Sequence, residues 1–102
     1  MDGLGRFAEP SVLILTSLAG GPKHGYALIK DIEGLAGTVV GPGTLYAALS
    51  RLQKSRLIEA LPEEERRRPY QITPTGVQAL RTYLEQARQV STVGLKRLTA
   101  FA

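Results

Sequence analysis

A chain of 102 residues suits a single domain with one modest core. Thirteen Lys and Arg against nine Asp and Glu leave a net charge of +4, which favours polyanionic partners, yet the excess is small and its placement matters more than its sum. With no cysteine and one histidine, a disulfide framework, a thiolate metal site, a cysteine nucleophile and an imidazole cluster are excluded.

Residues 1–8 contain glycine and read as irregular. Pro10 suits a first helical position, and Val12, Leu13, Ile14, Leu15 and Leu18 form a broad apolar surface, so a first helix is expected from about Pro10 to Ala19. Gly20-Gly21-Pro22 stops it. A second helix reads from His24 to Leu35, with Tyr26, Ala27, Ile29 and Ile32 supplying apolar groups and Lys30, Asp31 and Glu33 suited to an exposed side. Ala36 to Gly41 is a glycine-flanked connector whose Val39 and Val40 are expected to tuck against the core. Pro42 restarts a helix that runs to about Ser55. In it Leu45, Leu49 and Leu52 share one face with Ala48, while Ala47, Ser50, Arg51 and Lys54 occupy the opposite one.

After Arg56 the pattern changes to Leu57-Ile58-Glu59-Ala60-Leu61, a charged tip, and Tyr70-Gln71-Ile72, which reads as a two-stranded hairpin. Thr73 before Pro74 is a strong helix start, because the hydroxyl can cap free amides and proline fits the next position. From there Val77, Leu80, Leu84, Ala87, Ser91, Gly94, Leu98 and Phe101 recur three and four apart, the period of a helix packed along another helix. A helix from Pro74 to the end of the chain would span ~40 Å, longer than a domain of this size covers with its own core. Part of it is therefore expected to pack on a second copy, with Leu80, Leu84, Ala87, Ser91, Leu98 and Phe101 at the interface and Leu4 and Phe7 covering the partner's helix. Packing of the same stripe on the first helix is the competing explanation, and both can hold along different parts of its length.

A helix that enters the DNA major groove needs small or polar residues near its start and cations farther along. In the third helix Gly43 permits close approach, Thr44 donates or accepts, Tyr46 carries a hydroxyl, Ala47 can touch a thymine methyl, and Ser50, Arg51 and Lys54 suit phosphates. For Tyr46 a half-buried packing role stands beside the base-reading one. Arg66, Arg67 and Arg68 sit at the hairpin tip, where phosphates or a minor groove can receive them, although Glu63-Glu64-Glu65 immediately before them also fit a merely soluble loop. Lys23 and His24 at the start of the second helix join the DNA-facing set, His24 either contacting a phosphate or capping the helix.

These residues fall into Gly21-Pro22-Lys23-His24-Gly25-Tyr26, Gly41-Pro42-Gly43-Thr44-Leu45-Tyr46 with Leu49 and Arg51-Leu52, Leu57-Ile58, and Arg67-Arg68-Pro69-Tyr70-Gln71-Ile72-Thr73 with Gly76. In that order and spacing they resemble the PadR family of bacterial transcriptional regulators, over roughly Val12 to Leu80. The resemblance implies a dimeric winged-helix repressor that binds an inverted-repeat operator in double-stranded DNA and is released by a small-molecule effector. Two departures stand out. The proline usual shortly after the helix-3 tyrosine is replaced by Ala47-Ala48, and the C-terminal part reads as a single short helix, like that of the smaller members, which dimerise through it, so the extra helical domain of larger members is not expected.

The expected fold is thus mainly α with a small β-hairpin: a winged helix-turn-helix over residues 1–73, followed by a C-terminal dimerisation helix over 74–102. Neither a catalytic constellation nor a cofactor or metal site can be assembled, so an enzyme is not expected. No apolar run approaches the ~20 residues of a membrane span, and Met1 to Arg6 lacks a cationic signal start, which makes a cytoplasmic protein without a membrane partner the expectation. The rival from another class is a winged-helix module that holds a protein instead of DNA.

Overall fold

The computed structural model describes residues 9–37 and 39–101. Helix α1 (Pro10–Leu18) opens on a proline, which has no amide hydrogen to leave unpaired, while the Glu9 carbonyl accepts from the amides of Val12 and Leu13. Leu13, Ile14, Leu15 and Leu18 are all buried, because α1 is the central post against which the other helices lean. Its one buried polar side chain, Ser17, donates a 2.5 Å hydrogen bond to Asp31 Oδ2 and ties α1 to α2 (Gly25–Ala36). Helix α3 (Pro42–Lys54) presents Leu45, Ala48, Leu49 and Leu52 to the same core. Burial of Ile14, Leu18, Leu28, Ile32, Leu45, Leu49 and Ile58, the largest fully enclosed side chains, contributes about 1.5–3 kcal/mol each relative to exposure.

The end of α3 shows how the chain turns into the wing. Arg56 adopts a left-handed conformation (φ 61°), its amide donates to the Gln53 carbonyl, and the Leu57 amide donates to the Leu52 carbonyl. Those two bonds form a Schellman closure built on arginine where glycine is usual. Strands β2 (Ile58–Ala60) and β3 (Pro69–Ile72) then pair antiparallel, Ile58 opposite Ile72 and Ala60 opposite Tyr70. Gln71 Nε2 reinforces the pair with a 2.7 Å bond to Glu59 Oε2, its cross-strand neighbour.

Helix α4 (Pro74–Leu98) begins as the sequence predicts. Thr73 Oγ1 accepts from the Gly76 amide at 3.0 Å and donates to the Arg56 carbonyl at 2.8 Å, so one hydroxyl caps α4 and closes the α3 turn. Gly76 is where α4 crosses the wing: a Cβ there would collide with the Leu57 carbonyl oxygen and stand 2.8 Å from Ile72 Cγ1. Only glycine allows that approach. Leu80 is the last buried residue of the helix, and the remainder projects beyond the core, giving the described residues extents of 55 × 30 × 20 Å. A short 3₁₀ turn (Thr99–Phe101) follows.

Several local expectations need correction. The sheet has three strands, not two, because Lys23–His24 forms β1 and pairs with β3, His24 opposite Pro69. Two polar residues carry no alternation, so nothing in their pattern announces a strand. Val39 is 73% exposed while Val40 is buried, since neighbouring residues of extended chain face opposite ways and only one can meet the core. In α2 the buried line is Gly25, Leu28 and Ile32, leaving Tyr26 exposed beneath the Lys30 ammonium, 5.8 Å from its ring centroid.

Candidate nucleic-acid interface

Helix α3 turns Gly43, Thr44, Tyr46, Ala47, Ser50, Arg51 and Lys54 to solvent, opposite its buried leucines. At 3.6 residues per turn Gly43, Ala47, Ser50 and Lys54 fall on one line, with Thr44 and Arg51 alongside. The start of this face is small and uncharged, and Arg51 and Lys54 occupy the last turn, where cations also complement the helix dipole.

Tyr46 reconciles the two roles open to it. It is 51% exposed, and its ring lies against the first residue of α2: a Cβ on Gly25 would collide with the Tyr46 hydroxyl and stand 2.9 Å from Cζ. Gly25 is thus a site residue that sequence reasoning missed, since its meaning depends on a tertiary neighbour. The obstructing atoms are the far end of a movable side chain, so Gly25→Ala is expected to leave the melting temperature within a few degrees of wild type while swinging Tyr46 off its seat. DNA affinity should then fall as it does for Tyr46→Ala. Thermal melts paired with fluorescence anisotropy on labelled duplex check both halves of that expectation.

The wing tip is a two-residue turn in which the amides and carbonyls of Glu64 and Arg67 bond each other at 2.7 and 2.8 Å. Glu65 (φ 47°) and Arg66 (φ 66°) both take left-handed conformations, the geometry of a type I′ hairpin without the usual asparagine and glycine. Three consecutive arginines consequently have three different settings. Arg66 sits at the apex, Arg67 reaches back so that its Nη1 lies 3.1 Å from His24 Nε2, and Arg68 Nη1 donates to the Leu61 carbonyl at 2.8 Å.

His24 closes the gap between helix and wing. It is the N-cap of α2, its Nδ1 accepting from the Ala27 amide at 3.3 Å. An imidazole whose Nδ1 accepts carries its proton on Nε2 when neutral, and that nitrogen then points a hydrogen at a guanidinium that also only donates. The opposite tautomer would accept from Arg67 but forfeit the cap, a loss of about 1 kcal/mol, whereas exposed Arg67 can turn to water. The two contacts thus place opposite demands on the one ring proton, and with the cap made two donors face each other. Around them, His24, Tyr46, Tyr70, Arg66, Arg67 and Arg68, with Glu63 as the one carboxylate, line a hollow of about 330 Å³. Tyr70 and Glu63 are not among the residues the sequence places in the DNA-facing set.

Lys23 has a different setting from the rest of the DNA-facing set: its Nζ donates to the Ser17 carbonyl at 2.6 Å and the Gly21 carbonyl at 3.3 Å, closing the end of α1. Among the residues expected at a dimer interface, Leu84, Ala87, Ser91, Leu98 and Phe101 are exposed. Leu80 is 7% exposed and packs in the core of its own chain, and Leu4 and Phe7 lie outside the described residues. Tyr83, Val90 and Leu95, which fall off the predicted stripe, are exposed apolar side chains on the same helix. Among the described residues no cluster of His, Cys, Asp and Glu fit for a metal occurs, and no helix is long and apolar enough to cross a membrane.

Two helices joined by a turn, a three-stranded wing and a long final helix define a winged helix-turn-helix. The model of the PadR-like transcriptional regulator family matches residues 14–82, and the chain belongs to that family. A transcriptional regulator from Clostridium thermocellum has a similar structure, with a TM-score of 0.75 at 32% identity over 84% of this chain and 89% of its own. An uncharacterised 37.1 kDa protein of a Streptomyces fradiae transposon is 44% identical over 75 residues, 74% of this chain and 22% of its own length. The transcriptional regulator YqjI of Escherichia coli is 34% identical over 84 residues, 80% of this chain and 41% of its own length. The chain thus spans less than half the length of these curated relatives.

Proposed function

We propose that the chain is a homodimeric repressor that reads an inverted-repeat operator, residues 1–73 binding DNA and residues 74–102 holding the two copies together. The observation that carries this reading is the continuity of one exposed face, from the small start of α3 through Tyr46 to the wing arginines. Base edges would be met by Thr44, Tyr46 and Ala47, and phosphates by Ser50, Arg51, Lys54 and the wing. Two such helices, brought into successive major grooves about 34 Å apart, occlude a promoter. The exposed apolar side chains Tyr83, Leu84, Val90, Leu95 and Leu98 of α4, with Phe101 in the turn that follows, support pairing through that helix. Release by an effector rests on family membership together with the groove of about 410 Å³ between α1, β3 and α4, apolar at Ile72, Val77, Leu80 and Leu84 and charged at Arg81, Glu85 and Arg88.

The test is the ratio of operator to random-DNA affinity in Tyr46→Ala. Operator affinity is expected to fall about tenfold and random-DNA affinity far less, measured by anisotropy at fixed salt. Equal loss on both duplexes would remove Tyr46 from base reading and leave it as a packing group.

A further inference from the structure

We propose that His24 and Arg67 grip a single backbone phosphate of the bound duplex between them, so that the start of α2 and the wing close on the same anion. This inference rests on the DNA-binding reading above. Its basis is the contact of Arg67 Nη1 with His24 Nε2 at 3.1 Å, in a ring whose Nδ1 is already accepting from the Ala27 amide at 3.3 Å. Nε2–H and the guanidinium N–H are then two donors converging with no acceptor between them. A phosphate oxygen accepts from both at once, and no neutral group of the chain at this place does.

The surroundings favour an anion. Arg66 and Arg68 line the same hollow, the hydroxyl-bearing Tyr46 and Tyr70 face it, and Glu63 is its single carboxylate. Strand β1 sets the spacing, because the pairing of His24 with Pro69 fixes the helix start against the wing strand two residues after Arg67. The ligand chemistry is a phosphate oxygen, which a free phosphate ion and a DNA backbone share.

The chain contains one histidine, so its ring signals in a proton–carbon NMR spectrum are unambiguous. Adding inorganic phosphate at constant ionic strength is expected to shift them, and the Arg67→Ala variant should abolish the shift. On duplex DNA, His24→Ser keeps a capping hydroxyl and deletes Nε2–H, while Arg67→Ala deletes the guanidinium. Each is expected to weaken binding about tenfold. The double variant should bind no more than about twofold weaker than the weaker single, because both groups serve one phosphate. The slope of log affinity against log salt should become shallower by about 0.9 in Arg67→Ala.

Losses that multiply in the double variant would overturn the shared grip while leaving DNA binding intact. Ring signals that respond to inorganic phosphate but not to duplex would overturn it in favour of a free-ion site. A wild-type chain that binds no duplex at low salt would overturn the DNA-binding reading and this inference together. Arg67 is exposed, so Arg67→Ala carries the test even where His24→Ser lowers the stability of α2.

Discussion

A chain carrying Leu84→Asp together with Val90→Asp is expected to stay folded, sediment as a monomer, and bind operator at least ~100-fold more weakly than wild type. Both side chains are exposed in the single subunit, 43% and 72%, so charging them removes little from its core. They lie beyond Leu80, the last buried residue of α4, on the part of the helix that the subunit itself does not cover. If a second copy covers it, two carboxylates in an apolar seam carry a desolvation cost that dissociates the pair. Each half then binds alone, and the effective concentration that links the two half-sites is lost. Sedimentation velocity, helical circular dichroism and anisotropy on one preparation separate this outcome from simple unfolding. A double variant that remains dimeric would move the interface off the part of α4 beyond Leu80.

The second large effect is expected from neutralising Arg66, Arg67 and Arg68 together as glutamine. Affinity for operator and for random duplex should fall in parallel, and the salt slope should become shallower by about 2. The value is nearer 2 than 3 because Arg68 is engaged with the Leu61 carbonyl, whereas Arg66 at the apex and Arg67 beside His24 are placed to meet phosphates. Parallel loss distinguishes these side chains from Tyr46, whose removal should act on operator preferentially. An unchanged slope would reduce Glu63 to Arg68 to a solvated, mixed-charge tip.

Much of this architecture is legible in the sequence because its punctuation is local. Pro10, Pro42 and Pro74 each open a helix at the position where a missing amide hydrogen costs nothing, and Thr73 makes the hydroxyl cap that its place before Pro74 predicts. The exposed face of α3 follows from the spacing of Leu45, Leu49 and Leu52 in the same way. What the pattern does not announce is tertiary. β1 is two polar residues whose strand character comes only from pairing with Pro69 and Tyr70. The tight wing turn uses Glu65 and Arg66 in conformations that asparagine and glycine would have signalled. Gly25 has no site role of its own in the sequence until Tyr46 is seen against it, and the different settings of Arg66, Arg67 and Arg68 emerge only when the hairpin is folded back on α2. The exposed Tyr83, Val90 and Leu95 escape a three-and-four stripe because the exposed surface of α4 is wider than one seam.

The most direct measurement is binding of the purified chain to duplex from the region upstream of its own coding sequence, with excess random duplex as competitor, over a salt series. Retention of the upstream duplex against competitor, with one dimer bound per inverted repeat, is the result expected of a sequence-reading repressor. Absence of binding to either duplex at low salt would contradict it and leave the α3 and wing surface as a seat for a protein.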